Sequence, residues 1–186
     1  MILFLDNIEK EYVCTFDIEH DHGNILQFAG VLFKRIGDNL YQIARSINAY
    51  KKESEVSPFI ASLTGLDAEF LNEVGVEEDE FKETISNLIG GIDPSDVLFV
   101  SHGVTQDWSA LKENGLVDPD FNYNKLCTYR MAKRVLNRDK NLRLSDIARE
   151  CGYYVHNAHN AYDDAMATAC ILSFLTKIGE EGEQEK

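Results

Sequence analysis

The chain is 186 residues long, with 44% hydrophobic and 27% charged residues, which fits one globular domain with its own core and excludes a disordered chain. Thirty-two acidic residues against eighteen basic ones leave a formal charge of −14, which argues against general affinity for duplex DNA or an anionic membrane. No apolar run approaches the roughly 18 residues of a membrane span, and the apolar opening 1–5 lacks a signal peptide's basic start and meets Asp6 at once.

Residues 11–19 are β-branched and aromatic and end in carboxylates, the pattern of a strand. Turn chemistry follows in Asp21-His22-Gly23-Asn24, then a second strand over 25–36, the short gap Gly37-Asp38-Asn39, and a third strand over 40–50. Pro58 opens a short helix closed by Gly65, and 66–75 suits another. The stretch 77–89 has an acidic first turn and Phe81, Ile85, Leu88 and Ile89 at helical spacing. Residues 96–101 form a continuously apolar strand of the buried kind, followed by a helix over 105–114 that Gly115 ends. Helices are then expected over 126–136, 142–151 and 161–178, the last with small residues Ala161, Ala165, Ala167 and Ala169 for close approach to a sheet. The reading is one α/β domain over 1–178, a mixed sheet flanked by helices, with an acidic, frayed tail over 179–186.

Cys14, Cys127, Cys151 and Cys170 contain no C-x-x-C pair and no zinc-site spacing, so reduced thiols and a cytoplasmic location are expected. Charge is uneven. Residues 125–149 hold eight basic and two acidic residues, leaving the remainder at −20. Such a band suits either a solvated helix face or a local hold on a polyanion.

Three short motifs carry candidate chemistry. In Asp17-Ile18-Glu19 the period of two puts both carboxylates on one face of a strand end, a geometry suited to Mg²⁺ or Mn²⁺, although an exposed strand end would look the same. The segment from Ser101 to Trp108 follows the buried strand and opens a helix, where Asp107 either projects over the sheet end or simply favours the helix start. His102 fits equally as a strand-end histidine satisfied by backbone groups. In the third, His159 precedes a helix whose first turn holds Asp163 and Asp164, and charges entering an alanine-rich, buried helix need a partner.

Taken together and in this order, these pieces resemble the DEDDh 3′–5′ exonucleases, the RNase H-like group that includes proofreading epsilon subunits, RNase T and oligoribonucleases. The resemblance covers roughly residues 11–178. It rests on Phe16-Asp17-Ile18-Glu19, on Ser57-Pro58-Phe59 through Leu63-Thr64-Gly65-Leu66, on His102 to Asp107, and on His159-x-Ala161-x-x-Asp164-Ala165. The third motif is the most specific, and its spacing selects His159 over His156 and Asp164 over Asp163. The chain departs from the family in carrying His20-Asp21-His22-Gly23 where Thr-Thr-Gly or Met-Thr-Gly is frequent, and Gly103 where Asn is common.

The resemblance implies a five-stranded mixed sheet, three antiparallel strands first and parallel strands after, flanked by helices. It implies that Asp17, Glu19, Asp107 and Asp164 hold two Mg²⁺ or Mn²⁺ ions and that His159 is the general base, releasing nucleoside 5′-monophosphates from single-stranded 3′ ends. Substrate contacts are expected from His102, Arg130, Lys133 and Arg134. DNA and RNA stay open, as does a polymerase or other protein acting in trans. The alternatives are an inactive RNase H-like adaptor and a phosphoesterase of small nucleotides.

Overall fold

Residues 12–50 fold as an antiparallel meander because the turn residues between the apolar stretches reverse the chain tightly. In the computed structural model, which describes residues 1–155 and 159–184, β1 (Ile2–Phe4) is followed by β2 (Tyr12–Asp21), β3 (Asn24–Gly37) and β4 (Leu40–Tyr50). His22 and Gly23 both take positive φ, 50° and 88°, the combination that closes a two-residue hairpin with the twist of its strands. Helices α1 (Pro58–Thr64), α2 (Ala68–Val74) and α3 (Glu78–Leu88) lead to β5 (Val97–Ser101) and α4 (Val104–Glu113). Strand β6 (Asn124–Cys127) then precedes α5 (Thr128–Val135), α6 (Leu144–Glu150) and α7 (Ala161–Gln184). The sheet runs β1-β4-β3-β2-β5-β6, with β5 parallel to β2 and β6 parallel to β5.

The α/β architecture is the expected one, but the sheet has six strands where five were expected. The extra strand is β1, too short to show a period. It pairs with β4 at the sheet edge, burying Leu3 and leaving Ile2 and Phe4 exposed. The helix expected from 126 starts at Thr128, because Leu126 and Cys127 extend β6 along β5. A run of four residues is too short for periodicity to separate strand from helix. The last helix continues past 178 to Gln184, through glutamates that are good helix formers. No helix among the described residues is long and apolar enough to cross a membrane.

Strand β3 is buried over nine consecutive residues, so its continuous apolar run reflects cover on both faces. On one face Cys14, Phe16 and Ile18 of β2 join Phe81, Ile85, Leu88, Trp108 and Leu111 from α3 and α4. On the other, Val13, Val31 and Val100 meet Ala169 and Leu172 of α7. Gly30, opposite Phe16, is what lets α3 come close: a Cβ there would lie 2.4 Å from Leu88 Cδ2 and 3.1 Å from Phe28 Cε1. Leu88 is itself buried and has little room to turn. Gly30→Ala is therefore expected to destabilise the protein by about 1–3 kcal/mol in urea unfolding. A midpoint within error of the parent would show that the core gives way at this point.

Candidate active site

Alternation along β2 sends Asp17 and Glu19 to the face opposite Phe16 and Ile18, the face that α7 covers. The β2–β3 register slips immediately after Glu19, which pairs with Gln27 while His20 pairs with Ile25. Bulges of this kind re-aim side chains beside functional sites. Gln27 itself is fully buried and links three elements: its Nε2 donates to Asn48 Oδ1 at 2.8 Å on β4, and its Oε1 accepts from the Ala161 N–H at 3.2 Å. That second bond anchors the first residue of α7 opposite Glu19.

Asn160 starts α7, with Oδ1 accepting from the N–H groups of Tyr162 and Asp163 at 3.2 and 3.4 Å. This leaves Asp164, one residue on, free of capping duty. It receives the backbone N–H of His159 instead, and its Oδ1 is buried without a hydrogen-bond partner. His159 adopts the left-handed conformation with φ 66°, and its ring comes to the carboxylates: ligating atoms of Glu19, His159 and Asp164 all lie within 4.8 Å of one another.

Asp107 comes from the opposite direction, in the first turn of α4. It does not cap that helix. Its Oδ2 accepts the Ser101 hydroxyl, and Ser101 Oγ in turn accepts the Gly103 N–H at 3.2 Å, so the donor direction is fixed. The four half-buried carboxylates crowd one another. Enclosure, then the charges of Asp107, Asp164 and Glu19, push Asp17 well above the usual carboxylate range. Glu19 is raised to about 8 by enclosure and by Asp164 and Asp107. Asp107 and Asp164 are each raised to about 6, chiefly by enclosure, with Ser101 and the His159 N–H opposing the shift. Hard oxygen donors that repel one another, one of them an orphaned buried oxygen, with an imidazole beside them, fit divalent cations of the Mg²⁺ and Mn²⁺ class.

This fit has a linkage consequence. Carboxylates whose folded pKa exceeds the unfolded value hold extra protons in the native state, so in the metal-free protein their contribution to stability is complete only below about pH 4 and is lost as pH rises from there through 6 to 8. A bound cation takes the place of those protons. The gap in melting temperature between Mn²⁺ and EDTA should be small at pH 5 and widen to about 5–10 °C at pH 8, for a metal at roughly 100 times its Kd. A gap that does not change between pH 5 and pH 8 would show that the metal binds away from these groups.

The expected substrate contacts divide. His102 spends both ring nitrogens inside the protein, on Thr128 Oγ1 at 2.9 Å and on the Leu142 carbonyl at 2.7 Å, so its ring ties the end of β5 to α5 and the following loop. Enclosure holds its pKa below the ordinary value, in keeping with a neutral strut and not a phosphate ligand. Lys133 pairs with Asp139 at 2.6 Å, whereas Arg130 and Arg134 line a groove between α4 and α5. His156 lies outside the described residues.

Four contributors escaped the sequence reading. Gln27 was signalled only as a lone polar residue in an apolar run, and Asn160 as an N-cap residue before a helix. Ser101 gave no signal. His20 stands at the edge of the site, near enough to lower Asp107, with its Nδ1 accepting the Gly23 N–H at 3.3 Å.

Residues 11–172 match the family model described as exonuclease, of the RNase T type. The 3′-5′ exonuclease DinG of Staphylococcus saprophyticus is 29% identical over 157 residues, and that of Staphylococcus aureus strain USA300 is 26% identical. Each alignment takes in 81% of this chain and only 16% of the relative, so the chain spans about a sixth of the length of those proteins. Among solved structures, the nuclease domain of 3′hExo, a DEDDh family member bound to rAMP, superposes with a TM-score of 0.71 at 18% identity over 94% of this chain and 95% of that one. E. coli exonuclease I in complex with a dT13 oligonucleotide gives a TM-score of 0.73 at 15% identity, covering 95% of this chain and 43% of that one. Both share the RNase H-like arrangement of a mixed sheet flanked by helices.

Proposed function

Because the chain belongs to the RNase T exonuclease family, we propose that it is a metal-dependent 3′–5′ exonuclease releasing nucleoside 5′-monophosphates from single-stranded DNA or RNA. The observation that carries this reading is the convergence of four carboxylates, all raised above their ordinary range, with one imidazole at the shared end of β2, α4 and α7. The relatives named as 3′-5′ exonucleases support the direction of attack, and the dT13 complex of a structural neighbour supports a single strand as substrate.

Asp17, Glu19, Asp107 and Asp164 would hold two Mg²⁺ or Mn²⁺ ions. Such ions, when bound, lower the pKa of water and neutralise charge developing on the entering and leaving oxygens of an in-line phosphoryl displacement. The chain's own groups do the rest. His159 is exposed on one side and beside the carboxylates on the other, so its ring can take the attacking water's proton and pass it to solvent. Ser101 and the His159 N–H each hold one carboxylate in place, and Gln27 fixes the start of α7 relative to Glu19. Attack at the last phosphodiester breaks the bond from phosphorus to the upstream 3′ oxygen, leaving a shortened strand with a 3′ hydroxyl and a nucleoside 5′-monophosphate.

The test uses 5′-labelled single-stranded DNA and RNA of equal length with Mn²⁺ or EDTA, and an Asp164→Ala variant to expose contaminating nuclease. A ladder shortening from the 3′ end, present with Mn²⁺ and absent in the variant, is expected. An identical ladder from the variant, or none on either strand, refutes an exonuclease. Cleavage of dinucleotides alone would assign the site to small nucleotides.

A further inference from the structure

We propose that the groove between α4 and α5 is a phosphate-backbone track, separate from the carboxylate cluster, that holds the strand upstream of the cleaved end. The choice of ligand rests on the exonuclease reading above. The groove encloses about 610 Å³, and four cations line it: Lys112 from α4, Lys125 from β6, and Arg130 and Arg134 from α5. None of the four metal-site carboxylates lies in it.

Two features suit these cations to a common ligand. Among the described residues none of the four forms an ion pair, whereas their neighbours Lys133 and Arg138 are taken by Asp139 and Glu150. What sets the four apart is that they line one depression whose walls hold no acidic residue, in a chain of net charge −14. Two of them are also held in place. Arg130 donates to Thr105 Oγ1 at 3.0 Å, two residues before Asp107, and Lys125 Nζ sits 4.9 Å from the centroid of the Trp108 ring. The track thus begins beside the catalytic end of α4.

Its length follows from the helix. From Thr105 to Lys112 is seven residues, about 10 Å at 1.5 Å per residue, roughly the reach of two or three successive phosphates on one strand. The walls alternate these cations with apolar Leu126 and Met131, a pairing that meets phosphates and sugars without reading bases. Lys112 lies outside the basic band of 125–149 and joins it only in the fold.

Binding of a 5′-fluorescein-labelled dT12 strand in EDTA, followed by anisotropy at several salt concentrations, tests the track without turnover. For single strands each neutralised phosphate contributes about 0.7 to the slope of log K against log salt. The double variant K125A/R134A should lose about 1.4 of slope and bind roughly tenfold more weakly at 0.1 M salt, and Lys112→Ala should lose about 0.7. Lys82→Ala, a charge-matched change on α3, should leave both unchanged. Equal losses from Lys82→Ala, or unchanged slopes in the groove variants, would overturn the track in favour of diffuse charge. A polyglutamate of matched charge that competes as well as unlabelled dT12 would overturn it in favour of a protein occupant. Hydrolysis of the p-nitrophenyl ester of thymidine 5′-monophosphate by the unaltered protein with Mn²⁺ reports the catalytic reading separately. If the ester survives while the groove variants lose slope, the exonuclease reading fails and the track stands.

Discussion

Asp17→Asn should cut the rate of 3′-end hydrolysis by about a thousandfold while raising the melting temperature of the metal-free protein at pH 8. The two effects have one cause. Asp17 is driven well above the ordinary carboxylate range by its enclosure and by Asp107, Asp164 and Glu19, so in the absence of cations its ionised form is a source of repulsion. An amide of the same shape removes that repulsion. It also removes an anionic oxygen from the set proposed to hold the metal, and metal stabilisation of transition-state charge amounts to several kcal/mol, or about three orders of magnitude in rate. The measurement pairs single-turnover cleavage of a labelled strand with thermal unfolding in EDTA. A variant that is inactive and also less stable at pH 8 would mean that the carboxylate serves the fold. Opposite signs are the mark of a residue retained for chemistry at the expense of stability.

The architecture was legible where sequence pattern and burial agree. The turn residues His22 and Gly23 give the first hairpin, and the alanines at 161, 165, 167 and 169 give a buried helix, because each local pattern has one good solution. Strands β1 and β6 were not legible. Three or four residues carry no period, and both are held by pairing with β4 and β5, a long-range cause absent from the local sequence. The site divides in the same way. Asp17 and Glu19 share a face by the geometry of any strand, whereas Asp164 was singled out over Asp163 only by the family resemblance of the third motif. What holds these groups was hidden: Gln27 bonds Asn48 on one side and, across 134 residues of sequence, Ala161 at the start of α7 on the other, and only the folded chain brings them together. His102 shows the converse. Its place in a motif suggested substrate, but a half-buried imidazole must satisfy two nitrogens, and Thr128 and Leu142 do so. The basic band was visible as composition, yet which of its members are available depended on local acids, since Asp139 takes Lys133 and leaves Arg134.

His159 is positioned so that ligand and base predict different outcomes. Its ring lies within 4.8 Å of Glu19 and Asp164, close enough for a share of the cation, and its exposure also suits a group that hands protons to water. If it is the base, His159→Gln should lower the turnover rate about 10²- to 10⁴-fold while the Mn²⁺-induced rise in melting temperature persists. If it ligates the ion, that rise should shrink together with the rate. A second variant guards against a folding artefact. His159 holds φ at 66°, which costs a non-glycine residue about 1–2 kcal/mol, so His159→Gly relieves local strain but supplies no imidazole. It should be inactive and no less stable than the parent in EDTA, with the His159 N–H to Asp164 preserved because that bond comes from the backbone. Retained cleavage in the glycine variant would remove the imidazole from the mechanism altogether. The backbone at residue 159 would then be what matters, as the donor that orients Asp164.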